Sequence, residues 1–224
     1  MAPDLRLVIF DVDGTLVDSQ NHIQAAMDHA FAALDLPAPP LARTLTIVGL
    51  SLPQAIARLA PDLPPEVQTR IVDNYKDSFG TLRAAAPAPL YPGAAEALAG
   101  LSRRDDLLLG IATGKSMRGL RHMLAAHGLE KMFQTLQVAD NHPSKPHPAM
   151  ILQALAETGI APGQAVMIGD TTYDMEMARA AGVRGIGVGW GYHPIDDLRT
   201  AGAARVVTDY PALLPALEDL WRHG

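Results

Sequence analysis

Four short apolar runs, Leu5–Phe10, Leu107–Ala112, Ala165–Ile168 and Val183–Val188, each read as a strand buried on both faces, and a weaker one lies at Thr135–Val138. Helical patterns fill the intervals. Ser116 is placed to cap a helix carrying Met117, Leu120, Met123 and Leu124, with Gly128 beyond it. Pro148 suits the first turn of a helix that runs to Thr158, and Tyr173–Ala181 forms another, closed by Gly182. Strands that alternate with helices imply an α/β fold, a doubly wound, mostly parallel sheet core of Rossmann-like type.

One interval breaks the alternation. From about Val17 to Ala84 the apolar positions recur at helical spacing (Ile23, Met27, Ala30, Phe31, Leu34, then Val67, Ile71, Tyr75), with no strand signal of similar strength. The expected organisation is a core of residues 1–17 and 85–224 with an inserted all-helical cap of residues 18–84, joined through the Pro/Ala stretch Ala84–Pro89.

Composition excludes several classes of function. With 18 basic and 24 acidic residues the formal charge is −6, which offers no electrostatic footprint for nucleic acid. Absence of cysteine rules out disulfides, thiolate metal sites and cysteine nucleophiles together. The N-terminal apolar run is too short for a secretory signal, and no run approaches the roughly 18 residues of a membrane span. The expectation is a cytoplasmic protein, a monomer or weak homo-oligomer.

Chemistry-bearing residues stand where the strands end. Asp11 and Asp13 follow the first run, Thr113-Gly114-Lys115 the second, and Gly169-Asp170 the fourth, with Asp174 four residues on. In a parallel sheet these ends share one edge, so groups more than 150 residues apart in the chain converge. Asp11, Asp13 and Asp170 gathered there would repel one another unless protonated or neutralised. An oxygen-only donor set favours a hard cation such as Mg²⁺. Asp174 could hold a metal-bound water or orient a lysine. On the other side of the site, Thr113 offers a hydroxyl, Gly114 an unobstructed amide, and Lys145 a cation held between Pro143 and Pro146. Together these groups describe a phosphoryl-transfer centre.

The segments Asp11-Val12-Asp13-Gly14-Thr15, Ile111-Ala112-Thr113-Gly114-Lys115, Lys145-Pro146 and Ile168-Gly169-Asp170-Thr171-Thr172-Tyr173-Asp174 resemble, in order, the four motifs of the haloacid dehalogenase superfamily. The helical insertion and Tyr91-Pro92-Gly93 are similar to its phosphoglycolate phosphatase-like branch. The resemblance implies that Asp11 is the nucleophile and Asp13 the general acid and base. It implies phosphate binding by Thr113, Gly114 and Lys145. Mg²⁺ would be held by Asp11, the backbone carbonyl of Asp13, and Asp170, with Asp174 behind them. The expected substrate is a small phosphorylated metabolite, with phosphoglycolate as the default of the branch. A phosphomutase of the β-phosphoglucomutase type and an inactive phosphate-binding protein are the alternatives. Dehalogenation is disfavoured because halide-displacing relatives typically lack the second aspartate.

Lesser features are read more plainly. Asp13-Gly14 also suits a turn, and Asp170 suits a helix cap. Lys115 reads as a solvated charge. Arg43, Thr46, Gly49 and Ser51 are candidates for cap residues that face the substrate, and Trp190 and His193 for a loop rim. Gly187-Val188-Gly189-Trp190-Gly191 lacks the third glycine spacing of a dinucleotide loop and leads to no evident helix.

Overall fold

The computed structural model describes residues 5–222. Its six strands are β1 (Arg6–Phe10), β2 (Leu107–Thr113), β3 (Thr135–Val138), β4 (Ala165–Gly169), β5 (Arg184–Val188) and β6 (Ala203–Val207). They form one sheet in the order β3-β2-β1-β4-β5-β6, with every neighbouring pair parallel. The chain order reverses at β1, so the first strand lies centrally beside both β2 and β4. That is the switch point where open α/β sheets bind ligands.

Side chains alternate along the central strand, as a pleated strand requires. Val8 and Phe10 enter one apolar layer with Leu98, Leu120 and Leu217, whereas Leu7 and Ile9 enter the opposite layer with Met150, Ile151 and Met167. The first layer is covered by α5 (Ala94–Ser102), α6 (Met117–His127) and α10 (Leu213–Arg222). The second is covered by α7 (Ala149–Thr158) and α8 (Thr172–Ala180). Ser116 accepts a hydrogen bond from the Gly119 amide, and Gly128 and Gly159 close their helices in the left-handed conformation.

Three readings need correction. The run at Ala203–Val207 is a sixth strand; it lies at the sheet edge, half-exposed and carrying Arg205, so its apolar pattern is diluted. A helix, α9 (Ile195–Ala201), does follow the glycine-rich stretch, entered through Pro194. Helix formation also continues through Ala85 in the insertion, so the extended joint begins at Ala86.

Between residues 18 and 86 lie α1 (Gln20–Ala32), α2 (Leu41–Leu45), α3 (Leu52–Leu59) and α4 (Pro65–Ala85), with no strand among them. Met27, Phe31, Ile56, Leu59 and Ile71 bury one another there. Tyr173, from α8 of the sheet layer, enters the same cluster. The two chain crossings are hydrogen-bonded to each other: the Asp18 amide donates to the Pro89 carbonyl and the Tyr91 amide to the Leu16 carbonyl, both at 2.9 Å. Among the described residues, no helix is long and apolar enough to cross a membrane.

Candidate active site

β1 ends at Phe10, and the next residue, Asp11, sits fully enclosed at the mouth of the switch point. Gly14 turns the chain there with a φ of 82°. An added Cβ at Gly14 would fall 2.1 Å from an Asp170 carboxylate oxygen, so glycine serves both the turn and the approach of that acid. Gly191 has the same function from the other side, where a Cβ would lie 2.1 Å from the Asp170 Cβ. Gly191, at the end of the glycine-rich stretch, therefore makes room for an aspartate.

Asp11, Asp170 and Asp174 are all buried, and each offers a carboxylate oxygen within 4.8 Å of the others. Asp170 Oδ1 accepts from the Thr15 hydroxyl at 2.8 Å and Oδ2 from the Tyr192 amide at 2.9 Å. Capping of α8 falls to Thr171, whose hydroxyl is engaged with Asp174 in a capping box, and this leaves Asp170 free to face Asp11. Asp174 Oδ2 accepts from the Thr171 amide and hydroxyl, and its Oδ1 accepts from Lys145 Nζ at 2.6 Å. Of the two roles open to Asp174, orienting the lysine is the one the contacts display.

Lys145 is completely buried, with Nζ 3.0 Å from Asp11 Oδ1 as well. Burial opposes its charge, but Asp11 and Asp174 outweigh that and hold the ammonium protonated. For Asp11 the balance runs the other way. Desolvation, reinforced by Asp174 and Asp13 and only partly offset by Lys145, pushes its carboxyl up to about 7. Burial, with Asp174 and Asp11 adding to it, pushes Asp170 up too.

These facts test the fit of a cation. Both Asp11 oxygens are buried without a hydrogen-bond partner of proper geometry. The donors are all oxygens, and they carry more negative charge than Lys145 alone balances. Such a set matches a hard divalent cation. Asp174 is neutralised by the Lys145 ammonium at 2.6 Å, whereas Asp170 has only the neutral donors Thr15 and Tyr192 on its oxygens and keeps its charge unbalanced.

Asp13 points elsewhere. Its carboxylate receives Lys115 Nζ at 2.6 and 2.7 Å and the Ser19 hydroxyl at 2.5 Å, on the rim of a cavity of about 420 Å³. Lys115 is therefore no solvated charge: it is mostly buried and lies 5.2 Å from the Phe79 ring of α4. Thr113 and Gly114 also line this cavity. Thr113 is fully buried, and its oxygen accepts from the Lys115 amide at 3.3 Å, which leaves its own proton free to donate. Lys115, Thr15 and Tyr192 carry no local sign of these contacts, because their partners lie 102, 155 and 22 positions away, whereas Ser19 is only six residues from Asp13.

The insertion rests on this edge. Ser51 donates its amide to the Ser144 hydroxyl at 2.8 Å, and the Tyr173 hydroxyl donates to the Thr46 carbonyl at 2.9 Å. Gly49 and Ser51 line the cavity, whereas Arg43 is hydrogen-bonded to the Leu59 carbonyl and Thr46 to the Arg43 carbonyl, so neither of the latter two lines it. Trp190 donates to the Thr15 carbonyl and packs on Tyr210, inside the core layer. His193 meets Tyr173 edge-on beneath the cap. A Cβ on Gly114 would stand 2.6 Å from the Leu50 carbonyl and 2.7 Å from that of Gly49. Gly114→Ala is thus expected to lift the 46–51 loop and to destabilise the protein by about 1–3 kcal/mol. Thermal unfolding and faster proteolytic cleavage of that loop would report it.

A doubly wound parallel sheet with acids, a buried lysine and a hydroxyl at its switch point, and a run of helices packed against that edge, is the frame of an α/β enzyme. The sequence pattern of the haloacid dehalogenase-like hydrolases matches residues 8–188, and the chain belongs to that family. It is 36% identical to a probable phosphatase, IndB, of Dickeya dadantii, over 96% of this chain and 94% of that one. It is 31% identical to the phosphoglycolate phosphatase of Escherichia coli, with 96% and 93% covered. A hydrolase from Pseudomonas syringae has the same fold at 29% identity, with a TM-score of 0.85 over 96% of this chain and 98% of that one.

Proposed function

We propose that the protein is a divalent-metal-dependent phosphatase that hydrolyses a small phosphomonoester through an aspartyl-phosphate on Asp11. The observation that carries this reading is Asp11 itself. It is a buried carboxylate with no proper hydrogen bond, set between Lys145 and Asp170 at the floor of a cavity. A structural aspartate would be satisfied; an unsatisfied one is poised to react.

Asp11 attacks phosphorus, and the bond to the leaving oxygen breaks. Asp13, which must first leave the Lys115 ammonium and take up a proton, delivers that proton to the leaving oxygen. It then removes one from the water that cleaves the aspartyl-phosphate. The Thr113 hydroxyl, the Gly114 amide and the Lys145 ammonium hold the phosphoryl oxygens, and Asp174 keeps Lys145 in place. Asp11, Asp170 and the Asp13 carbonyl are the groups assigned to Mg²⁺. When bound, the cation offsets the charge of the acids and withdraws electron density from the phosphoryl oxygens. The names of the Dickeya and Escherichia relatives support a phosphatase, and the acidic net charge supports a small metabolite over nucleic acid as partner.

Colorimetric phosphate release from a panel of phosphomonoesters, phosphoglycolate included, tests the assignment. Activity is expected to vanish in EDTA and to return with excess Mg²⁺. Turnover that persists in EDTA would remove the metal from the mechanism.

A further inference from the structure

The cavity above the reacting groups is larger and greasier than a two-carbon acid requires. Its volume of about 420 Å³ lies within the ~300–1,000 Å³ that encloses drug-sized ligands. The cap side is walled by Ile23, Met27, Ile47, Leu50, Tyr75 and Phe79. Tyr75 and Phe79 are stacked, with ring centroids 5.6 Å apart and planes 18° from parallel. Both are half-buried and line the space where a leaving alcohol would lie.

Two of the cations that line that space, Lys76 and Arg118, are exposed, and the buried ones near it are already engaged. Lys145 is enclosed by Asp11 and Asp174, and Lys115 is held by both oxygens of Asp13 against the Phe79 ring. Lys76 and Arg118 are exposed, and Lys76 pairs with Asp73. Two further cap arginines are turned away: Arg43 binds the Leu59 carbonyl and Arg58 lies over the Tyr173 ring, 5.6 Å from its centre. A carboxylate on the alcohol would meet Asp13 and a largely apolar cap wall, with only the solvent-exposed Lys76 and Arg118 to offset its desolvation.

We infer that the substrate's alcohol is an uncharged, ring-bearing body that packs on Tyr75 and Phe79, not a two-carbon acid. This rests on the phosphatase reading and departs from the substrate named for the Escherichia coli relative. Apolar area removed from water supplies the preference, and the Tyr75 hydroxyl, which has no hydrogen-bond partner among the described residues, is available to a polar atom of the ring body.

The test uses the full-length protein with Mg²⁺ and three probes: 2-phenylethyl phosphate, ethyl phosphate and phosphoglycolate. Expected is a kcat/KM for 2-phenylethyl phosphate at least about tenfold above both others, the discrimination that one well-packed group supplies. In Tyr75→Ala and in Phe79→Ala, the ratio between 2-phenylethyl and ethyl phosphate should fall by about fivefold or more. Using the ratio cancels any change in the chemical step that reaches Asp13 through Lys115. A tenfold preference for phosphoglycolate, or a ratio that neither variant moves, would overturn the inference while leaving the phosphatase reading intact. Calorimetric binding of the same probes to Asp11→Asn separates the two claims. Tightest binding of 2-phenylethyl phosphate there, with no turnover of any probe by the unaltered enzyme, would uphold the cavity assignment and defeat the phosphatase reading. Equal affinities would defeat the cavity assignment.

Discussion

Asp11→Asn is expected to abolish phosphate release and, at the same time, to raise the melting temperature of the metal-free protein at pH 8. Loss of a nucleophile lowers turnover by at least roughly 10⁴. The gain in stability follows from the position of the carboxyl, which burial and its acidic neighbours lift from 3.8 to about 7. Below pH 4 it is protonated in folded and unfolded chains alike and adds no penalty. Between pH 4 and 7 the unfolded chain ionises while the folded one keeps its proton, so stability falls as pH rises. Above pH 7 the deficit is fully developed, on the order of 4 kcal/mol at about 1.4 kcal/mol per pH unit. Asparagine keeps the shape without the charge but surrenders the attraction of Lys145, so the net gain is smaller, about 1–3 kcal/mol. For a chain of this length that is roughly 5 °C. At pH 5 the advantage should shrink, because Asp11 is then already neutral. Excess Mg²⁺ at pH 8 should also erase it by stabilising the unaltered protein alone. A variant that melts lower at pH 8 in EDTA would mean that Asp11 is not held in excess negative charge.

Much of this site was readable because its parts obey rules that operate over a few residues. Unbroken apolar runs give buried parallel strands, and the acids follow directly where those runs stop, so Asp11, Thr113 and Asp170 share one edge as soon as the strands share one sheet. Lys145 could be assigned by chemistry, but its double contact with Asp11 and Asp174 depends on the α7 and α8 loops meeting in space. Lys115 looked like any lysine after a glycine. Only the approach of β1 and β2 brings it to Asp13, 102 positions away in the chain. The stretch Gly187–Gly191 illustrates the converse. Its glycines are a local signal whose causes are tertiary: Leu198 crowds Gly187, Ile195 crowds Gly189, and the Asp170 side chain is pressed against Gly191. Arg43 failed as a substrate-facing candidate for a related reason: an arginine beside a helix C-terminus finds a carbonyl, here that of Leu59, before it finds a ligand.

Those long-range contacts make the site a charge balance, and they separate the parts that hold it together from the parts that strain it. Asp174 is on the stabilising side, since its two oxygens satisfy Thr171 and Lys145. Asp11 and Asp170 are on the straining side: burial and their acidic neighbours push both up, opposed at Asp11 chiefly by Lys145 and at Asp170 by the Tyr192 amide and the Thr15 hydroxyl.

Lys145→Met should therefore act in the opposite direction to Asp11→Asn, removing turnover while strongly destabilising the metal-free protein at pH 8. The thioether fills a similar space, so the effect is chiefly electrostatic. It leaves three buried carboxylates within 4.8 Å with no ammonium among them. Breaking a buried pair in this way costs about 3–5 kcal/mol, or roughly 10 °C here. The gap from the unaltered protein should narrow as pH falls from 8 to 5, because Asp11 takes up a proton and the repulsion subsides. It should narrow again on adding Mg²⁺. Lys76→Met, at an exposed pair with 3.7 Å separation, supplies the control and should leave the melting temperature unchanged. The decisive measurement is the double variant, Asp11→Asn with Lys145→Met. If Lys145 offsets the charge of Asp11, the pair removed together is less damaging than Lys145→Met alone, and the cycle returns a coupling of about 1–3 kcal/mol at pH 8. Additive effects would mean that the lysine only fills volume, in which case neither the raised carboxyl of Asp11 nor its readiness to bind a cation follows from this geometry.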